Sequence, residues 1–266
     1  MLRFTLAFAL GSLVSLARLG AHDTWLQPAT FQAAPEQRVT FDLTSGGNYP
    51  GLDSAIAPDR IDAAQVRLAG TSRTLAPTGR TEHALQFSEK FEVEGVATAW
   101  VTLLPRPIDL NARTVALYLD EIHASKEVRA TWARWKRPEA WKEIYTKHAK
   151  TCLAVGDAPT DISWNEPVGQ RLEIVPVTDP FKTRVGQSAA FQLLYEGKPL
   201  AGASLGLRGS GEKQAQFQTT GADGRAKFPI GKAGKIMVFS VRLEFREDQG
   251  IWVSDFCTLT IEARRE

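Results

Sequence analysis

The chain has 266 residues, a formal net charge of +2, 43% hydrophobic residues and 23% charged ones. That balance describes a globular chain with ample apolar material for a core, and it lacks the dense basic character of a nucleic-acid-binding protein. The opening apolar run is short and no later run approaches the roughly eighteen apolar residues of a membrane-crossing helix, so no membrane span is expected in the mature chain.

Met1-Leu2-Arg3 followed by the apolar run Phe4 to Ala17 has the positive and apolar regions of a secretory signal peptide, with Ala21 as the small residue before the cut. Residues 1–21 are therefore expected to be removed, leaving a periplasmic or secreted protein that begins at His22. Arg38-Val39-Thr40-Phe41-Asp42-Leu43 alternates polar and apolar residues, the period of a half-buried strand. Residues 65–68, 84–87 and 91–93 repeat the alternation, and 99–104 reads as a more buried strand. Turn signals at Ala69-Gly70, Pro77-Thr78-Gly79 and Glu94-Gly95 separate them, a spacing that predicts an antiparallel sandwich.

Between Val115 and Ala149 the pattern becomes helical, with no glycine and a single proline. Ser125 suits the N-cap of a first helix and Pro138 the first turn of a second. On that second helix Trp141, Ile144, Tyr145 and His148 share one stripe, which leaves Lys142, Glu143 and Lys147 to solvent. A new strand series starts near Arg171 and runs to Ala263, with turns at Glu196-Gly197-Lys198-Pro199 and Gly221-Ala222-Asp223-Gly224. The expected fold is mainly β: a first β-sandwich over residues 22–160 carrying a helical segment at 115–149, then a second sandwich of immunoglobulin-like or prealbumin-like type over 161–266. Cys152 and Cys257 are an even pair that an oxidising compartment could join, but both lie in apolar runs where a cysteine buries easily and read as unpaired or structural, not catalytic.

Four histidines are present, at positions 22, 83, 123 and 148. His22 is the leading candidate, because cleavage before it would give one residue both a free α-amine and an imidazole for a single metal ion. The amine must lose its proton to bind, so affinity should fall with pH. His148, near the end of the first sandwich, reads equally as the donor of a third nitrogen and as a core histidine beside Trp141 and Tyr145 satisfied by one hydrogen bond, and Asp23 as an oxygen or outer-sphere ligand. Such nitrogen-rich sites suit copper and also nickel. Lys150 is a candidate ion-pair partner for Asp23. His83 is expected at a water-facing strand edge and His123 as no more than a supplementary ligand. Trp25 and Leu26 read as the first core residues.

The stretch Gly197-Lys198-Pro199-Leu200-Ala201-Gly202-Ala203 with Thr219 to Phe228 resembles a pattern common in secreted β-sandwich modules. It occurs here with the opening His22-Asp23-x-Trp25-Leu26-x-Pro28, the middle Tyr145-Thr146-Lys147-His148-Ala149-Lys150 and the close Trp252 to Thr260. Together these resemble a periplasmic domain-of-unknown-function family associated with nickel or cobalt uptake, across essentially the whole mature chain. The resemblance implies an exported metal-linked protein. The absence of a histidine-rich tract argues against high-capacity metal storage.

No phosphate loop, nucleophile elbow, C-x-x-C or H-E-x-x-H motif occurs, so an enzyme is not the first expectation. The leading reading is a periplasmic protein that binds nickel, cobalt or copper as an accessory to uptake or delivery, with a membrane metal transporter component as partner. Two alternatives remain: a copper histidine-brace oxidase or monooxygenase, and a non-catalytic β-sandwich interaction module.

Overall fold

The computed structural model describes residues 22–135, 141–157, 160–212 and 214–265. The expected leader 1–21 and the expected helix-starting Pro138 lie outside these residues. The protein is mainly β, as its alternating sequence predicts, and its strands form three sheets.

A ten-stranded sheet forms the centre, in the order Gln216–Thr219, Ser204–Gly209, Gly234–Arg246, Ile251–Ala263, Trp141–Val155, Gly95–Leu103, Ile61–Leu68 and Thr71–Thr74, with two short strands added alongside Trp141–Val155. At its middle, Trp141–Val155 runs parallel to Ile251–Ala263, with His148 opposite Cys257. The sheet thus draws strands from both sides of residue 160. Each face carries a different layer. A five-stranded sheet built on Asp23–Pro28, Arg38–Gly46 and Leu85–Lys90 covers one face, and Leu26, Phe41 and Phe87 meet Val66, Val101 and Leu153 in that core. A four-stranded sheet containing Leu172–Pro176, Ser188–Tyr195 and Arg225–Pro229 covers the other, where Ile174, Phe191 and Phe228 meet Leu207, Val238 and Ile261. Both cysteines are free thiols buried in this second core.

The helical segment is shorter than the sequence pattern suggests. Helix α1 spans Ala112–Glu121 and helix α2 spans Lys126–Trp135, while Trp141–Val155 is a fifteen-residue strand. Its first residues read buried, exposed, buried, exposed, which is period two; the same apolar positions imitate a helical stripe because 141 and 145 satisfy both periods. Ser125 does cap α2, its hydroxyl accepting from the Val128 N–H at 3.3 Å, and Asn111 caps α1 by accepting from Thr114 N–H.

The strand also corrects the burial expected for Glu143, which is only 3% exposed. Its carboxylate accepts from Tyr118 Oη at 3.0 Å, from Trp141 Nε1 at 2.6 Å and from the Ser254 hydroxyl. Glu143 therefore fastens α1 to the sheet beneath an aromatic cluster in which Trp141 stacks on Trp252 at 4.3 Å and meets Trp132 edge-on. The two helices occupy the same face of the central sheet as the five-stranded sheet, leaving a gap between its opening strand and the end of α1.

Candidate functional site

The gap is a cavity of about 900 Å3, entered beside His22 and Asp23. Asp23 begins the first strand and pairs with Gly46. Gly46 has no side chain, and the carboxyl of Asp53 occupies the place a Cβ would need, 2.6 Å from the Cβ position. From the opposite wall come Asp120, Glu121 and His123 at the C-terminal end of α1. His123 takes a left-handed backbone conformation, φ +50°, uncommon for a residue with a side chain. That turn swings the chain into α2 and lays the imidazole on the ring of Phe217, with centroids 3.5 Å apart.

The floor is aromatic. Phe239 lies across Gly206, where an added Cβ would fall 2.4 Å from the ring, and it packs with Trp25, Tyr49 and Met237. Trp25 and Leu26 are both fully buried, on opposite faces of the first strand, in keeping with their reading as core residues. Arg208 reaches over Phe239 and donates to the carbonyl of Gly47 at 3.3 Å.

The lining is acidic. Asp120 is engaged by Arg129 at 2.8 Å and Glu121 is engaged as well, while Asp23 and Asp53 also face the cavity, and Arg208 is the one guanidinium among the described lining residues. Burial raises the Asp23 carboxyl to about 6, opposed by the nearby positive charges of Arg208 and Lys147. Burial likewise lowers Lys147 to about 8, with Asp23 acting to hold its proton. Lys147 donates to the carbonyl of His22 at 2.6 Å. The expected anchor Lys150 is not the residue that holds the N-terminal segment; Lys147 is.

The reason is strand alternation. Lys147 points toward the first strand, so His148 and Lys150 point to the other face of the sheet. There Lys150 pairs with Glu173 at 2.6 Å, both groups almost fully buried, and Glu173 also accepts from the N–H groups of Val168 and Gly169. His148 is 3% exposed and its Nε2 donates to Asp255 at 3.2 Å. In the neutral imidazole this leaves Nδ1 to accept from the Thr102 hydroxyl, 3.3 Å away. Arg171 completes the group, 2.8 Å from the same Asp255 oxygen. His22 and His148 are thus on opposite sides of the central sheet, and it is His123, not His148, that lines a cavity with His22 and Asp23. His83 is exposed, with Nδ1 donating to the carbonyl of Asp53 at 2.9 Å.

Among the described residues no three His, Cys, Asp or Glu side chains lie close enough together to hold a metal ion. The place of His123 in this lining was hidden in the sequence, where no second ligand stands at metal-pair spacing; its neighbours Asp120 and Glu121 were the available signal.

A family model described as a domain of unknown function, DUF4198, matches residues 19–242. The chain belongs to that family. No curated protein matches the sequence. Among solved structures, the D0-D1 domain of intimin is 11% identical, with 88% of this chain and 96% of that one covered and a TM-score of 0.23. The adhesin InvE of Yersinia pseudotuberculosis is 10% identical, with 89% and 58% covered and a TM-score of 0.24. A DUF4785 family protein of Legionella pneumophila is 9% identical, with 80% and 50% covered and a TM-score of 0.25. The chain thus spans nearly all of the intimin fragment and between half and three fifths of the other two. Among the described residues no helix is long and apolar enough to cross a membrane.

Proposed function

We propose that this is an exported binding protein for a transition-metal cation, nickel, cobalt or copper, held in the cavity between the first strand and the end of α1. The observation that carries this reading is that the neighbours His22 and Asp23 line one acidic cavity with His123, which is remote from them in sequence. Imidazole nitrogens with carboxylate oxygens are a donor set suited to these borderline ions. The C-terminal end of α1 adds the negative end of a helix dipole to the same wall, which favours a cation.

The leader reading completes the donor set. Cleavage before His22 frees an α-amine next to its imidazole, so one residue supplies two nitrogens and His123 a third, without a cluster of three side chains. Asp23 lines the same cavity as an outer-sphere carboxylate. Lys147, bonded to the carbonyl of His22, fixes the segment that carries the donors. A role in uptake or delivery would pass the ion to a membrane transporter component.

The test is a calorimetric titration of nickel, cobalt and copper into protein beginning at His22, repeated with one extra residue ahead of it. The expected result is an affinity at least about tenfold lower for the extended form, equivalent to about 1.4 kcal/mol. Equal affinity in both forms would remove the N-terminal chelate, and absence of binding by all three ions would end the metal reading.

A further inference from the structure

The cavity is far larger than a bare ion requires. An ion with its four to six donors occupies the space of a few water molecules, each with a share of about 30 Å3, whereas this space measures about 900 Å3. That size falls at the upper end of the roughly 300–1,000 Å3 typical of pockets for small organic molecules. Its composition fits an organic guest as well. Phe217, Phe239, Val241 and Ile122 supply apolar walls, while Asn48 and Gln214 supply amides.

Arg208 is the feature that a bare cation leaves unexplained. A guanidinium in a cation site opposes the ion's charge. Here it makes one hydrogen bond, to the carbonyl of Gly47, and its Nε is buried with no partner. Among the described residues no carboxylate lies within ion-pair distance of it, despite the acidic surroundings. It is spread over the Phe239 ring, 5.5 Å from the centroid, which holds the planar fork in place. A fork so placed is matched to a carboxylate, which it takes through two parallel N–H bonds.

We propose that the cavity receives its metal ion as a complex with a small carboxylate-bearing chelator, the carboxylate seated on Arg208 and the ion facing His22 and His123. This rests on the metal reading of the site and names the form in which the metal arrives. The acidic side of the cavity meets the cationic part of the complex and the guanidinium meets its anionic part.

Two chelators that differ only in the carboxylate provide the test. Histidine and histamine offer nickel the same amine and imidazole, and histamine lacks the carboxyl group. Protein beginning at His22 is titrated with nickel alone, with nickel–histidine and with nickel–histamine. The histidine complex is expected to bind at least about tenfold more tightly than either of the others. Arg208→Gln is expected to bring the two complexes to within about twofold of each other, while nickel alone binds no more weakly than to the unaltered protein, since a charge opposing the ion is gone. Equal binding of the two complexes by the unaltered protein overturns this proposal without recourse to any variant, and binding of nickel alone in that experiment leaves the metal reading standing. If nickel binds in none of the three forms, both readings fall.

Discussion

The two faces of the strand Trp141–Val155 carry similar chemistry put to different ends. On one face His148 and Lys150 meet Asp255 and Glu173, all four almost fully buried, and every charge has a counterpart. On the other face Lys147 sits beside His22 and Asp23 at the mouth of a cavity, where Arg208 has no carboxylate partner among the described residues. Histidine and carboxylate occur together on both. The closed face has spent its hydrogen-bonding capacity on itself, whereas the open face keeps donors directed at space. A buried histidine with both nitrogens engaged is part of the scaffold; a histidine stacked at a cavity wall is available to a ligand.

Removing one partner from the closed face should have the largest effect. Lys150→Ala leaves the Glu173 carboxylate buried with two backbone N–H groups but no opposing charge. An uncompensated buried charge costs about 3–5 kcal/mol, readable as a lowered urea midpoint. The double change Lys150→Met with Glu173→Leu should recover most of that loss, since neither charge then remains to be solvated. A Lys150→Ala midpoint close to that of the unaltered protein would show that water reaches this pair and that the two faces differ less than their burial indicates.

The histidines sharpen the contrast further. His148→Ala removes hydrogen bonds to Asp255 and Thr102 and should cost about 1–3 kcal/mol of stability. Nickel affinity should change by no more than about twofold. His123→Ala should do the reverse, lowering nickel affinity by about tenfold and stability by less than about 1 kcal/mol, the scale of one ring-stacking contact. Calorimetry and urea unfolding on both variants decide the assignment, and exchanged results would move the binding site to the other face.

Much of the β architecture was legible because alternation along Arg38–Gly46 or Ile61–Leu68 directly reflects one buried face. The strand Trp141–Val155 was not, because buried residues four apart satisfy a helix and a strand alike. Its central position buries both faces from residue 148 on, which erases the alternation that would have decided the matter. That single misreading hid the direction in which His148 faces, since a helix puts it on one stripe with Trp141 and Tyr145, whereas a strand sends it to the opposite face from Lys147. His22 and Asp23 could be singled out from the sequence. His123 could not be matched to them, because a pairing across a hundred residues depends on where a helix ends in space.

The smallest expected effect concerns pH and distinguishes an empty cavity from a loaded one. Asp23 rises from 3.8 to about 6 on folding because burial disfavours its charged form. The folded chain thus holds this proton more tightly than the unfolded chain. The resulting stability is fully present below pH 3.8 and is lost as pH climbs through about 6. Glu143 is also raised by burial, although Ser254, Trp141 and Tyr118 donate to it, so it contributes a loss of the same sign. Asp23→Asn should flatten the decline between about pH 4 and 6 by about 1 kcal/mol, because the half-exposed residue is partly screened. Glu143→Gln should remove a further part, measured as urea midpoints across that range. Nickel acts in the opposite direction on Asp23 alone: a cation in the cavity favours the ionised carboxylate, so loaded protein should lose the acid-side gain at Asp23 and retain it at Glu143. If nickel changes the slope of Asp23→Asn as much as that of the unaltered protein, then Asp23 does not face the bound ion, and the open side of the sheet holds its ligand through His22 and His123, whose own proton loss accounts for the change, without that carboxylate.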